Sequence, residues 1–234
     1  MQEEFEEIQN IMKNCDEKRI KEISFITGKI EGQNCVIVQS GIGKVNSARI
    51  TQMMIDNFDI EYIMNLGSAG ALNPMLKIGD IVIGDELVQH DFDITAFGHA
   101  KGYITGVGDR VYSDKYLIEK FEKAIENLED RNYEIKTGTI ASGDIFCTEI
   151  EMKNQIYANF KADCVEMEGA AIAQVSYLNN IPFIVIRSIS DTPNGNNAIT
   201  FDKFVELASK RCARILKEVL KDITKEEKEK EKDI

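Results

Sequence analysis

Two glutamates, Glu166 and Glu168, stand one residue apart in CVEMEGAAIA, a stretch whose other side chains are apolar or very small. A buried element rarely admits a carboxylate without a partner. The plain alternative is a helix start, where the positive end of the dipole favours acids and both side chains face solvent. Glu166 is read in that plain way; for Glu168 both readings stay open. Asp191 is the third acid of interest. It follows the apolar run FIVIR and then SIS, so it is expected at the carboxyl edge of a strand, partly desolvated. There a raised pKa lets a carboxylic acid donate a proton near neutral pH. Its alternative is a turn or N-cap aspartate, given SDTPNGN. Arg187 interrupts the same run, and an arginine within a buried strand calls for an anionic partner. A buried ion pair with no chemical task is its alternative.

The elements that must position these residues follow from periodicity. EEFEEIQNIM places Phe5, Ile8 and Met12 at helical spacing, and ISFITGKIEGQNCVIVQ reads as two strands around an Asn/Gly-containing turn. A helix from about Val45 to Phe58 leads into the apolar run IEYIMNL. GDIVIGDELVQ is strand-like, DKYLIEKFEKAIENL an amphipathic helix and YEIKTGTIASG a strand. EGAAIAQVSYLNN is a helix feeding the strand IPFIVIRSIS, and a last helix carries Phe204, Ala208, Cys212, Ile215 and Val219 on one face. This alternation predicts an α/β fold with a largely parallel sheet covered by helices. Ligands of such sheets sit beyond the strand ends. Four small-residue junctions follow expected strands: SGIGK (Ser40–Lys44), GSAG (Gly67–Gly70), SGDIF (Ser142–Phe146) and SISD (Ser188–Asp191). None has the full phosphate-cradling pattern, and each alone reads as a turn. Four at one sheet edge point to a small-molecule pocket.

Bulk properties exclude several function classes. The 234 residues suit one domain with a substantial core. The 28 basic and 40 acidic residues give a formal charge of −12, which repels nucleic acid and anionic membranes alike. The five cysteines show no C-x-x-C spacing and three lie in apolar runs, as reduced core thiols do in a cytoplasmic protein. No apolar run reaches the roughly 18 to 20 residues of a membrane span, and the acidic MQEEFEEIQN is unlike an export signal. His90 and His99 lack metal-ligand spacing and read as surface or loop histidines. KEEKEKEKDI reads as a charged tail.

Six segments in order, SGIGKVNSA, NLGSAGALNP with KIGDIVIGD, DITAFG, SGDIF, VEMEGAAIA and IRSISD, resemble the 5'-methylthioadenosine/S-adenosylhomocysteine nucleosidases of the purine nucleoside phosphorylase superfamily. The resemblance covers nearly the whole chain. It implies a single-domain three-layer sandwich over residues 1–222, with 223–234 as the tail, and hydrolysis of the N-glycosidic bond of adenine thionucleosides without metal or cofactor. Breaking a ribosyl–adenine bond develops cationic charge on the sugar and needs the leaving base protonated. The resemblance makes Asp191 the acid at adenine N7, Glu168 the ligand of the ribose hydroxyls and Glu4 of MQEE the general base, with Ser68 and Arg187 around the same water. Replacing Glu166, by contrast, is expected to be mild.

The resemblance places Phe146 on the adenine face and the backbone of Cys147 at its Watson–Crick edge. Ala69, Gly70 and Ser190 belong to the same pocket. Met167, Ile42 and Phe201 line the sugar side, and Phe97 of a second subunit covers the 5' substituent, implying a homodimer. The family's chain opens with an apolar strand of about eight residues ahead of the glutamate motif, and no such strand stands before MQEE here. Its loss is expected to expose two neighbouring strands and unsettle Glu4. Two rivals share the fold. A phosphorolytic enzyme would need convergent arginines that SGIGK and NLGSAG do not supply, and a noncatalytic nucleoside-binding protein would need no base.

Overall fold

The computed structural model describes residues 2–128, 133–192 and 197–232, with the side chains of 197–203 and 231–232 outside the described set. Along the chain run α1 (Gln2–Ile11), β1 (Lys13–Ile20), β2 (Ile23–Ile30), β3 (Gln33–Ile37), α2 (Lys44–Asn57), β4 (Ile63–Ala71), β5 (Ile81–Gln89) and β6 (Val111–Tyr112). Then follow α3 (Lys115–Glu126), β7 (Ile135–Ser142), α4 (Ile150–Phe160), β8 (Cys164–Glu166), α5 (Gly169–Leu178), β9 (Phe183–Asp191) and α6 (Asn197–Lys232).

Strand β9 organises the core because every one of its residues is buried. Its alternation sends Ile184 and Ile186 to one face, against Phe121 of α3 and Ile215 and Val219 of α6. Phe183 and Val185 go to the other, against Ala170, Ile172 and Ala173 of α5. Helices therefore cover both faces, as the alternating sequence pattern requires. The central sheet is mixed, in the order β6-β5-β7-β8-β4-β9, and β9 also pairs with β5. Strands β5, β7, β8, β4 and β9 thus close on themselves. The pairings β4–β9, β5–β7 and β7–β8 are parallel, while β4–β8 and β5–β9 are antiparallel.

The first three strands form a separate antiparallel sheet. Its second hairpin turns at Glu31 and Gly32, both with positive φ, as a two-residue hairpin turn demands. Strand β1 is almost wholly exposed, and its polar sequence KNCDEKRI has no alternation to reveal it. Among the described residues no strand precedes α1. β3 pairs only with β2, and β4 pairs with β8 only at Gly70 and Ala71. Glu4 is nevertheless not on a loose end, since it lies within α1, which packs on α6. Helix α6 itself runs to Lys232, with Ile223 buried and Glu226 accepting hydrogen bonds from Lys120 and Tyr116. No helix of the described residues is long and apolar enough to cross a membrane.

Candidate active site

The four small-residue junctions do meet, but not at one sheet edge: GSAG, SGDIF and SISD follow strands of the central sheet that do not share one direction, and SGIGK follows β3 of the separate sheet. β8 runs antiparallel into β4 at Gly70↔Val165 and parallel beside β7 at Ser142↔Glu166, while Gly70 faces Asp191 across β4 and β9. The crossing gathers the ends of β4, β7, β8 and β9 around one site. Asp191 closes β9 and is 3 % exposed. Its Oδ1 accepts from Ser190 Oγ at 3.1 Å, a hydroxyl also 3.2 Å from the Ala69 carbonyl. Its Oδ2 accepts from Lys153 Nζ at 2.8 Å. The approach of β4 explains the glycine opposite, because a Cβ on Gly70 would lie 3.0 Å from that same Oδ2.

The two glutamates of VEME prove to have opposite surroundings, and the solvent-facing reading of Glu166 is corrected. Glu166 is the last residue of β8 and is buried. Its carboxylate accepts from Arg187 Nη2 at 2.5 Å, from the backbone N–H groups of Glu168 at 3.0 Å and Gly169 at 2.7 Å, and from the Ser142 hydroxyl. Burial opposes its charge, but the Arg187 guanidinium, Ser142 and the Gly169 N–H outweigh burial and hold the carboxyl below its ordinary range. The anionic partner that Arg187 calls for is therefore Glu166. Arg187 also donates to the Asn65 side chain at 2.5 Å and carbonyl at 3.3 Å.

Glu168 follows β8 and stands at the N-terminal boundary of α5, half-buried and free of Arg187's hydrogen bonds. Its Oε1 accepts from Gly43 N at 2.9 Å. Gly43 caps α2 with φ 91°, a left-handed value that favours glycine. The next N–H, of Lys44, goes to Asp144 at 2.7 Å, so two carboxylates meet the positive end of α2. Burial first, and the charge of Glu166 second, push the Glu168 carboxyl above the ordinary glutamate range.

Glu4 reaches from α1 to the end of β4, where its Oε1 accepts from Ser68 N at 3.0 Å and Ser68 Oγ at 3.1 Å. Arg187 borders the same spot: a Cβ on Gly67 would lie 3.2 Å from Glu4 Oε1 and 3.4 Å from Arg187 Nη1. Glu4, Ser68 and Arg187 are thus together. Around this polar centre, Cys147 is buried and Met167 half-buried, whereas Ile42, Phe97 and Phe146 are exposed at 66 %, 81 % and 51 %. The Phe201 side chain lies outside the described residues. His99 is exposed and stacks on Tyr103. His90 stands in the turn after β5, as a loop histidine would, but it is buried rather than at the surface, with no hydrogen-bond partner for Nε2 among the described residues. Among those residues no cluster of three metal-ligating side chains occurs.

Comparison with known proteins gives this geometry a family. The phosphorylase superfamily profile matches residues 1–221. A 5'-methylthioadenosine/S-adenosylhomocysteine nucleosidase of Geobacillus kaustophilus is 38 % identical over 221 residues, 94 % of this chain and 93 % of that protein. The chain belongs to this nucleosidase family. One from Staphylococcus aureus is 40 % identical over 210 residues, 89 % of this chain and 91 % of that protein. The crystal structure of the Neisseria meningitidis nucleosidase in complex with methylthio-immucillin-A superposes with a TM-score of 0.91 at 37 % identity, covering 95 % of this chain and 96 % of that one.

Sequence reasoning missed two features of this candidate site. The first is the burial of Glu166, whose partner lies 21 residues away on another strand. The second is Lys153, which is 1 % exposed. A signal for it existed: on α4, Lys153 stands in register with buried Ile156 and Phe160, and a lysine on an apolar helix stripe needs an anion to meet.

Proposed function

We propose that this protein hydrolyses the N-glycosidic bond of 5'-methylthioadenosine and S-adenosylhomocysteine, releasing adenine and the 5-thio-substituted ribose. The observation that carries this reading is the convergence of three carboxylates at one strand crossing, each in a different electrostatic setting. Asp191 supplies the proton to adenine N7, Glu168 accepts from the ribose hydroxyls, and Glu4, flanked by Ser68 and Arg187, takes the proton from attacking water. Phe146 stacks on adenine and the Cys147 backbone meets its Watson–Crick edge, with Ala69, Gly70 and Ser190 closing the base side. Met167 and Ile42 line the sugar. The exposed apolar side chains Ile42, Val45, Phe97, Phe146 and Ile150 support a homodimer in which Phe97 of one copy covers the 5' substituent of the other. The buried free thiols Cys147, Cys164 and Cys212 suit a reducing cytoplasm.

Adenine release from methylthioadenosine, followed with and without inorganic phosphate, tests the reaction. The expected result is the same rate in both and free methylthioribose as the sugar product. Release that requires phosphate and yields a sugar phosphate would make the protein a phosphorylase. Binding without release would make it noncatalytic. Lys44, the cation of SGIGK, supports hydrolysis over phosphorolysis, since it is held by the Asp91 carboxylate at 2.5 Å and by Gln89 at 3.1 Å rather than left for a phosphate.

Glu168→Gln is expected to lower kcat/KM by about 10- to 100-fold, the worth of hydrogen bonds to a charged acceptor. Because the folded carboxyl titrates above the ordinary glutamate range, the wild type loses its acceptor as pH falls through that raised value. The variant has no such acid limb. Wild type is also expected to suffer more than the variant when the 2'-hydroxyl is removed from the substrate. Equal losses would take the ribose away from Glu168.

A further inference from the structure

A lysine ammonium with 1 % exposure is costly, because desolvating it takes several kcal/mol that only a well-made partner returns. Among the described residues the hydrogen-bond partner of Lys153 Nζ is Asp191 Oδ2 at 2.8 Å, and the ion pair is buried on both sides. This pairing conflicts with the simplest view of Asp191. A carboxylate that accepts from an ammonium carries no proton of its own to give, yet the leaving base must receive one.

We propose that Lys153 and Asp191 act as one acid, with Lys153 the store of the proton that Asp191 delivers to the leaving purine. The inference rests on the proposed role of Asp191. In the resting protein the proton is on Lys153 Nζ and Asp191 is a carboxylate. As the glycosidic bond breaks, its electron pair passes to the purine. One proton moves from Lys153 Nζ to Asp191 and from Asp191 to the purine ring nitrogen, leaving a neutral amine, a carboxylate and neutral adenine. Glu4 meanwhile holds the proton of the attacking water, whose oxygen joins the sugar. Solvent then recharges Lys153 and takes the proton from Glu4, so charge and atoms balance.

The surroundings suit a proton held as an ion pair. Facing it from the segment after β7 is Cys147, whose thiol burial pushes up to about 11, with the Lys153 charge acting downward and those of Asp191 and Asp91 upward. From β8 comes Cys164, raised well above its ordinary value by burial, with Arg187 acting downward and Glu166, Asp163 and Asp191 upward. Both thiols are neutral near pH 7. Arg187 is already matched by Glu166 at 2.5 Å. Among the described residues Lys153 is therefore the proton-carrying cation in contact with Asp191.

Lys153→Met and Lys153→Arg, compared with wild type in full pH profiles of kcat and KM for methylthioadenosine, test the proposal. In Lys153→Met the lone Asp191 must take its proton from solvent. Its basic limb is expected to move to lower pH, with kcat falling on the order of 10²-fold on the basic side and the deficit shrinking toward acid. Lys153→Arg keeps a cation on Asp191 that holds its proton at every working pH. Its kcat is expected to fall across the profile with KM little changed and the melting temperature preserved. Wild-type kcat in Lys153→Arg, or a uniform loss without a moved limb in Lys153→Met, would overturn the proposal and leave Lys153 a structural partner. Asp191→Asn run in parallel separates the two readings: if it turns over normally, the role of Asp191 falls and takes the inference with it. If it is inactive while both Lys153 variants match wild type, only the inference falls.

Discussion

Asp191→Asn is expected to lower kcat for adenine release by on the order of 10² to 10⁴, because an amide of nearly the same shape has no proton to give. A loss of stability should accompany it. The substitution leaves the Lys153 ammonium, 1 % exposed, without its anion, and breaking a buried pair from one side costs about 3 to 5 kcal/mol. For a domain of this size that is a fall in melting temperature on the order of 10 °C. The two effects can be separated. Asp191→Asn combined with Lys153→Met removes both charges, so it should recover most of the stability and none of the turnover. Initial rates at equal folded concentration, with thermal melts of the same samples, decide the matter. A well-folded Asp191→Asn protein with near-normal turnover would remove Asp191 from the chemistry.

Much of this molecule was legible in the sequence, and the illegible parts share a cause. The apolar run of β9 announced a strand buried on both faces, and its end placed Asp191. The four small-residue junctions announced a pocket, and they do meet. What periodicity cannot carry is the identity of a partner far along the chain. Glu166 and Glu168 lie one residue apart, but β8 is only three residues long and the chain turns immediately after it, so the first acid enters the core and the second meets the start of α2 at Gly43. The partner that makes this tolerable, Arg187, sits on β9. Lys153 was hidden in the same way, as a charge on an apolar stripe whose anion lies 38 residues on. The direction of β8 against β4 was equally invisible, because alternation along a strand is the same whichever way its neighbour runs.

Replacing Glu166 was expected from sequence to be mild, and the structure reverses that expectation. Glu166→Gln is expected to destabilise the fold by about 3 to 5 kcal/mol, the cost of stripping one charge from a buried pair. Glutamine offers one oxygen and one NH2 group where the site presents three N–H donors, from Arg187 Nη2, Glu168 and Gly169, and one hydroxyl, that of Ser142, which already accepts from the Ala170 N–H at 2.7 Å. Its NH2 must face one of them. The pH dependence has a definite sign. Because the folded carboxyl is held below the ordinary range, its stabilisation is complete above the unfolded glutamate pKa and is lost as pH falls through the lower folded value. The gap between wild type and variant should therefore be full at neutral pH and close in acid. Urea unfolding of both proteins from pH 7 downward measures it, and equal midpoints at neutral pH would return Glu166 to the surface role. Activity should fall as well, since a guanidinium released from Glu166 is free to turn onto Glu4, its neighbour across Gly67. That would replace the arrangement proposed to activate water with an ion pair. Glu166→Met with Arg187→Met separates the two losses, because removing both charges should restore stability while leaving Glu4 without the cation beside it.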